Sequence, residues 1–144
     1  MSFDLKIKNG DLSLGATKDI DIVENGEKLT QDVLKIILTP LGGNPFFPWY
    51  GSPISQSLVG AAYETNFIAS LASNQLRGAI EKLQNMQKEQ MRSTNQIVTA
   101  QEQIAAIQNI NVERNATDPR FFGIVLTVIS KAFQRVQTQF NVRL

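Results

Sequence analysis

The chain has 144 residues, a length typical of one domain that can bury a core without a disulfide or a structural metal. Hydrophobic residues make up 42% of it and charged residues 19%, and the net charge of +1 predicts no general attraction to nucleic acid or to an anionic membrane. There is no cysteine and no histidine, which excludes disulfides, thiolate chemistry and every catalytic triad that uses histidine as its base. We therefore predict one domain over residues 1–144 with no enzymatic activity, no cofactor, no metal and no small-molecule substrate.

The first part of the chain alternates apolar and polar residues, which is typical of short β-strands. Residues 3–8 alternate and are followed by Asn9-Gly10, a pair that suits a two-residue hairpin turn. Residues 19–23 alternate again and predict another short strand, closed by Asn25-Gly26. No stretch approaches the roughly 20 apolar residues of a membrane span, and the N-terminus lacks the apolar run of a secretory signal. We expect a chain that is soluble as made.

The period then becomes helical. Apolar residues recur on one face of residues 30–38, Thr30 can cap the start, and Pro40 with Gly42-Gly43 ends the pattern. Residues 39–52 are rich in proline, glycine and aromatic side chains, so we predict an ordered loop that is pinned to the core or to a partner. The alternative is a loop whose aromatic residues only fill the protein's own core.

The middle of the chain predicts more helix. Residues 53–66 suggest a short helix broken at Gly60, and a clear apolar stripe then runs through Leu76, Ile80 and Leu83. Residues 84–98 are mostly polar, so we expect this helical extension to project from the domain or to lie against a neighbour. A turn at 93–95 and a capping box at Thr99 and Glu102 predict a helical hairpin over 73–92 and 99–107; the alternative is one unbroken helix.

The last third predicts an antiparallel sheet. Strands are expected at 110–114, 121–129 and 135–142, with a turn at 115–119. The second strand is apolar on both faces and should be central and covered on both sides, whereas the third is amphipathic and should be a half-exposed edge. The predicted fold is therefore α+β: an N-terminal β-hairpin, short helices, a long helix or helical hairpin, and a C-terminal antiparallel sheet.

The acidic residues offer neither a distinctive catalytic pair nor a metal-binding pattern. Two carboxylates suffice for glycoside hydrolysis without histidine, but the glutamates lie in ordinary surface settings: Glu64, Glu81, Glu89, Glu102 and Glu113. Asp19, Asp21 and Glu24 lack the spacing of a calcium loop, and no glycine-rich phosphate loop is present. These side chains are best interpreted as solvated surface carboxylates.

Residues 29–42, LTQDVLKIILTPLG, followed by Pro48-Trp49-Tyr50-Gly51-Ser52, resemble the signature of the phage W-type baseplate wedge family. The resemblance is strongest over residues 19–58, and the order of the later elements also fits. It implies a structural subunit of a contractile-tail baseplate in the virion, made in the host cytoplasm and related to a type VI secretion baseplate component. The expected partners are other wedge proteins, hub or tube-proximal proteins and the tail sheath protein. An older lysozyme label in this family finds no support in these residues.

The resemblance also suggests residues that bind partners. Some family members carry a Glu-Pro-Arg motif that grips the wedge partner's helices; here the position holds Glu102-Gln103-Ile104, so only the glutamate matches, and Asp118-Pro119-Arg120 reads as a turn. The C-terminal strand is the expected docking edge for the sheath. The predicted partner-binding residues are Pro48, Trp49, Tyr50, Gly51, Glu102, Arg135, Gln137, Gln139 and Asn141. Two other functions stay open: a cytosolic protein-binding regulator on the same fold, and a peptidoglycan hydrolase.

Overall fold

The computed structural model describes residues 2–58, 64–93 and 97–143. The chain begins with four two-residue strands, β1 (Asp4–Leu5), β2 (Ile7–Lys8), β3 (Asp11–Leu12) and β4 (Ile22–Val23). The predicted hairpin is confirmed: β2 pairs with β3, and Asn9 and Gly10 take the positive φ angles of 54° and 82° that its two-residue turn requires. The second predicted strand is also confirmed, since β4 pairs with β1.

Helix α1 (Asn25–Leu38) begins five residues before the predicted start. Asn25-Gly26 therefore does not close a strand, and Thr30 is not the cap, because its hydroxyl donates to the carbonyl of Gly26 within the helix (2.9 Å). The true start is held from far along the chain: the N–H of Asn25 donates to the Glu102 carboxylate (3.4 Å) and the hydroxyl of Thr99 donates to the Asn25 side chain (2.9 Å). The predicted apolar face of α1 is confirmed, with four buried residues.

Two further helices follow, α2 (Ile54–Leu58) and the long α3 (Thr65–Ser93). The predicted break at Gly60 and most of the predicted turn at 93–95 lie outside the described residues. The second helix predicted over 99–107 is wrong, and so is the unbroken-helix alternative. The Thr99 and Glu102 capping box is present, but it caps a single 3₁₀ turn, Ala100–Glu102, after which a strand begins.

Glutamine side chains of α3 explain why a strand begins so early. The side chain of Gln87 is buried and bridges two backbone groups, since its amide donates to the Glu102 carbonyl (2.8 Å) and its oxygen accepts from the N–H of Ile104 (2.9 Å). Gln84 donates to the carbonyls of Ile104 and Ala105 at 3.2 and 3.3 Å. The expectation that the polar end of the helix projects from the domain is therefore wrong as far as Gln87.

The C-terminal strands β5 (Ile104–Arg114), β6 (Phe121–Ser130) and β7 (Arg135–Arg143) form an antiparallel sheet in the order β5-β6-β7. This confirms the predicted α+β class, the central position of β6 and the edge position of β7. Alternate residues of β6 are fully buried, and with α1 and α3 they form the core. The prediction that both faces of β6 are covered is wrong, because its other face is only half-buried among the described residues.

Candidate interaction surfaces

The loop between α1 and α2 is fixed by a dense set of backbone hydrogen bonds. The N–H of Ser52 donates to the Thr39 carbonyl (2.9 Å), and the N–H of Gly42 donates to the Pro48 carbonyl (3.1 Å). Gly51 lies where the two ends of the loop meet, with φ +118°, and a side chain there would place Cβ 2.5 Å from the Thr39 carbonyl oxygen. The sequence folds this way because only glycine permits so close an approach of two backbone segments. The prediction of an ordered loop is thus confirmed.

Three aromatic rings of this loop form a continuous row. The rings of Phe47 and Trp49 lie 6.0 Å apart and those of Trp49 and Tyr50 lie 6.3 Å apart, both edge to face. Tyr50 packs against the core, but Trp49 is 47% exposed and Phe46 is 85% exposed. The alternative that these aromatic residues only fill the protein's own core is therefore wrong for all but Tyr50.

A groove of about 570 Å³ lies between the loop, α1 and α3. It is lined by charged residues of α1, by the aromatic row and by one side of α3: Lys28, Asp32, Lys35, Asn44, Phe47, Trp49, Tyr50, Leu83, Met86, Gln87 and Gln90. A second hollow of about 460 Å³ adjoins it, and Trp49 and Met86 line both. The backbone of Trp49 is held in place by Lys82, whose ammonium group donates to the Trp49 carbonyl (3.2 Å). We call these two hollows together the aromatic groove.

Charges at the wall of the aromatic groove are paired. Lys28 bonds Asp32 at 2.6 Å, and Lys35 bonds both Asp32 and Asp4. Burial alone would lower the pKa of Lys35, but its hydrogen bond and ion pair with Asp4 outweigh that effect and raise the pKa above its usual value. Burial raises the pKa of Tyr50, so its phenol stays protonated as a hydrogen-bond donor. The groove is therefore chiefly apolar and aromatic, and the charged side chains on its α1 wall neutralise one another in ion pairs.

The second surface is the free edge of β7. In a central antiparallel strand, successive residues direct their N–H and C=O groups to opposite neighbours. At one end of β6, the N–H of Ser130 donates to the Gln134 carbonyl (2.9 Å), so the backbone groups of even-numbered residues of β6 bond β7. At the other end, the N–H of Asn115 donates to the Phe121 carbonyl (2.9 Å), so the backbone groups of odd-numbered residues bond β5. Since Val125 is paired with Gln139 in register, the backbone groups of Gln139 point away from β6.

The same alternation applies along the whole strand. The residues of β7 that direct backbone groups outward are also those with exposed side chains: Arg135, Gln137, Gln139, Asn141 and Arg143. Across residues 2–58, 64–93 and 97–143, no loop or helix backbone group bonds this edge. The register with β6 is regular over all nine residues, whereas β5 has two irregularities near its start. β7 is therefore a regular edge, and its outward donors and acceptors bond no other backbone group of the described residues.

Glu102 does not belong to either surface. It is 1% exposed, and its carboxylate accepts from the N–H groups of Thr99 (3.0 Å) and Asn25 (3.4 Å). This carboxylate joins the 3₁₀ turn to the start of α1, and its burial leaves it inaccessible to a partner in this structure, contrary to the prediction. Pro48, Trp49, Tyr50 and Gly51 lie together in the loop, while the predicted residues of β7 form the separate strand edge.

Several exposed apolar residues were missed by the sequence analysis. Seven apolar side chains in the first 22 residues are each more than two-fifths exposed: Phe3, Leu5, Ile7, Leu12, Leu14, Ile20 and Ile22. Phe133, in the turn between β6 and β7, is 89% exposed. The sequence could have indicated this exposed ring, because Phe133 stands in a turn between two alternating strands, where Gly or Asn is expected.

Comparison with solved structures places the fold. A protein from Geobacter sulfurreducens, described as a "putative tail lysozyme", superposes with a TM-score of 0.61 over 82% of this chain and 89% of that chain, at 12% sequence identity. The two chains share one fold. No protein-family model and no curated protein matches the chain. Among the described residues, none of the helices is both long enough and apolar enough to cross a membrane.

Proposed function

We propose that this chain is a non-enzymatic structural subunit of a contractile phage tail baseplate. In this proposal it joins wedge proteins to the hub and offers β7 to the tail sheath, with no nucleic acid, membrane or small molecule as a partner. The observation that carries the proposal is the regular, free edge of β7, on a fold shared with the protein described as a "putative tail lysozyme". The resemblance of residues 29–52 to the wedge family supports the same assignment.

Strand addition fits the edge of β7. An incoming extended segment would bond the outward N–H and C=O groups at Arg135, Gln137, Gln139 and Asn141 and continue the sheet. The polar side chains on the outer face limit pairing with unrelated strands before the partner arrives. A sheath subunit that presents an extended terminal arm is therefore the partner proposed for this surface.

Side-chain packing fits the aromatic groove. Trp, Tyr and Met are enriched at the centres of protein interfaces, and large exposed apolar patches mark interaction sites. The hollow on each side of Trp49 can take an apolar side chain from one face of a partner helix. We assign this groove to a wedge protein, so that two partners can bind different surfaces at once.

Trp49→Ala tests the groove. Because Trp49 is half exposed, we expect a loss of only about 1–2 kcal/mol in the free energy of unfolding, less than for a fully buried aromatic residue. Incorporation into tails should fall much further, by tenfold or more in affinity for the wedge partner, as is typical of a roughly 2 kcal/mol interface anchor. Phe46→Ala is the matched control, since Phe46 is 85% exposed and lines neither hollow. Equal incorporation of both variants would remove the groove from the proposal.

The carboxylates argue against hydrolysis of glycan. A glycosidase needs two carboxyl groups about 5–9.5 Å apart on either side of one sugar bond. Within the described residues, the larger hollow is lined by one carboxylate, Asp32, which is paired with Lys28, and the second by Glu89 alone. Glu113 accepts from the Asn111 amide on the sheet and Glu102 is buried in its capping role.

We therefore expect the purified chain to release no soluble product from peptidoglycan above the level of a buffer blank. Turbidity loss of a purified cell-wall suspension is the measurement, with an active muralytic enzyme as the positive control. If turnover is seen and is lost in Asp32→Asn or Glu89→Gln with the fold intact, the chain is a hydrolase and the structural proposal is wrong.

A further inference from the structure

The turn between β6 and β7 presents an aromatic side chain under two unfavourable conditions. Phe133 has φ +62°, in the left-handed region that non-glycine residues with bulky side chains rarely adopt. Its side chain is also 89% exposed, the largest exposed fraction among the large hydrophobic residues that the structure describes. Asparagine or glycine would meet the backbone requirement and leave no apolar ring in water.

The backbone of this turn is nevertheless well fixed. The N–H of Phe133 donates to the Ser130 carbonyl (2.9 Å), and the N–H of Gln134 donates to the Ser130 hydroxyl (3.2 Å). The N–H of Lys131 donates to the Gln103 carbonyl (2.9 Å), which ties the turn to the segment before β5. The ring of Phe133 is thus attached to a rigid turn and not to a loose loop end, so little order need be lost when it binds.

The surroundings of the ring indicate what it binds. Lys131 and Arg135 flank it and are exposed, and the free edge of β7 begins at Arg135. One end of any strand added to β7 therefore lies close to the turn that carries Phe133. A lipid surface cannot use the outward backbone donors of β7, whereas an extended protein segment can.

A second copy of this chain fits less well. If two β7 edges paired in antiparallel orientation with their full lengths in register, Arg135 of one copy would lie opposite Arg143 of the other. Like charges opposite each other across a strand pair are destabilising. The flanking cations instead complement a different protein that carries carboxylates at this point.

We propose that Phe133 is the anchor of the β7 docking site: its ring fills an apolar recess, rimmed by Asp or Glu, in the protein whose strand extends the sheet. This inference rests on the proposed function, since it concerns the same edge. It explains why a residue that is unfavourable for the free chain stands in the turn.

Phe133→Asn separates an anchor from a structural residue because the two roles predict opposite changes. Asparagine suits the left-handed conformation, so the melting temperature should be unchanged or higher by up to about 5 °C. The affinity for the purified sheath subunit of the same particle, measured by calorimetry, should fall by roughly tenfold or more. Phe133→Trp, which keeps a large ring, should retain most of the affinity.

The remaining outcomes are also decisive. If Phe133→Asn binds the sheath subunit as tightly as the unchanged chain while Gln139→Pro does not, the anchor is wrong and strand docking stands. If the unchanged chain fails to bind the sheath subunit, both are wrong. The chain is also tested for binding to phosphatidylcholine–phosphatidylserine vesicles and for self-association in sedimentation. If Phe133→Asn abolishes vesicle binding but leaves sheath binding unchanged, the ring binds a membrane and the proposed protein anchor is wrong. If it abolishes self-association but leaves sheath binding unchanged, the ring binds a second copy of the chain and the proposal is equally wrong.

Discussion

Replacing Gly51 by alanine is expected to destabilise the protein by roughly 3 kcal/mol or more in the free energy of unfolding. The new Cβ would lie 2.5 Å from the Thr39 carbonyl oxygen and 3.0 Å from that of Pro40, so backbone must move. The φ of +118° is in addition strained for alanine. Because Trp49 and Tyr50 precede this residue directly, the displacement should also disturb the aromatic groove. Chemical unfolding followed by tryptophan fluorescence measures both effects with the single Trp of the chain.

Gly42→Ala is the matched control for this prediction. Gly42 lies in the same loop and also has a positive φ, +82°, but a Cβ there meets nothing within 4 Å. Its replacement should therefore lower the free energy of unfolding only by the cost of the strained backbone angle, about 1–2 kcal/mol. Equal losses for the two variants would mean that the close approach at Gly51 relaxes freely, and the argument that this contact fixes the loop would fail.

Gln139→Pro is expected to prevent docking while leaving the fold nearly intact. The N–H of Gln139 points away from β6, so proline removes no hydrogen bond within the sheet and should cost about 1 kcal/mol or less in unfolding free energy. It removes a donor that the incoming strand needs, and its ring blocks the edge, so affinity for the sheath subunit should fall by well over tenfold. Binding is measured with purified subunits, and sheath growth by electron microscopy of the tails.

Two controls fix the meaning of this result. Gln139→Ser keeps the donor and should dock normally. Thr138→Pro removes a donor that points toward β6, on a residue only 4% exposed, and should unfold the sheet. If a folded Gln139→Pro protein still starts full-length sheath, β7 is not the docking edge, and the sheath must contact another part of the surface.

The sequence was informative where structure follows from local pattern. Alternation located β6 and β7, and the helical stripe located α1 and α3, because each of these elements buries one regular face. The exposed strands β2 and β3 were located by alternation together with the Asn9-Gly10 turn between them. The errors arose where distant residues decide. The start of α1 depends on Glu102, 77 residues away, and the strand that begins at Ile104 depends on the Gln87 side chain. No local propensity records such contacts, and residues 104–107 also suited a short helix.

The candidate surfaces were only partly predictable. The composition of residues 39–52 predicted an ordered aromatic loop, but which rings stay exposed depends on how the loop closes at Gly51. The amphipathic pattern of β7 predicted an edge, yet the direction of each backbone donor needed the hydrogen bonds at both ends of β6. Glu102 was chosen from a family motif, and its burial became visible only with the fold.

Electron cryomicroscopy of the assembled particle that contains this chain tests the central claim most directly. We expect the chain in the baseplate, with a wedge-protein side chain in contact with Trp49 and an extended strand of a sheath subunit hydrogen-bonded to Arg135–Arg143. A reconstruction in which every copy of the chain lies outside the baseplate, or in which β7 faces solvent in all copies after the sheath has formed, would contradict the account.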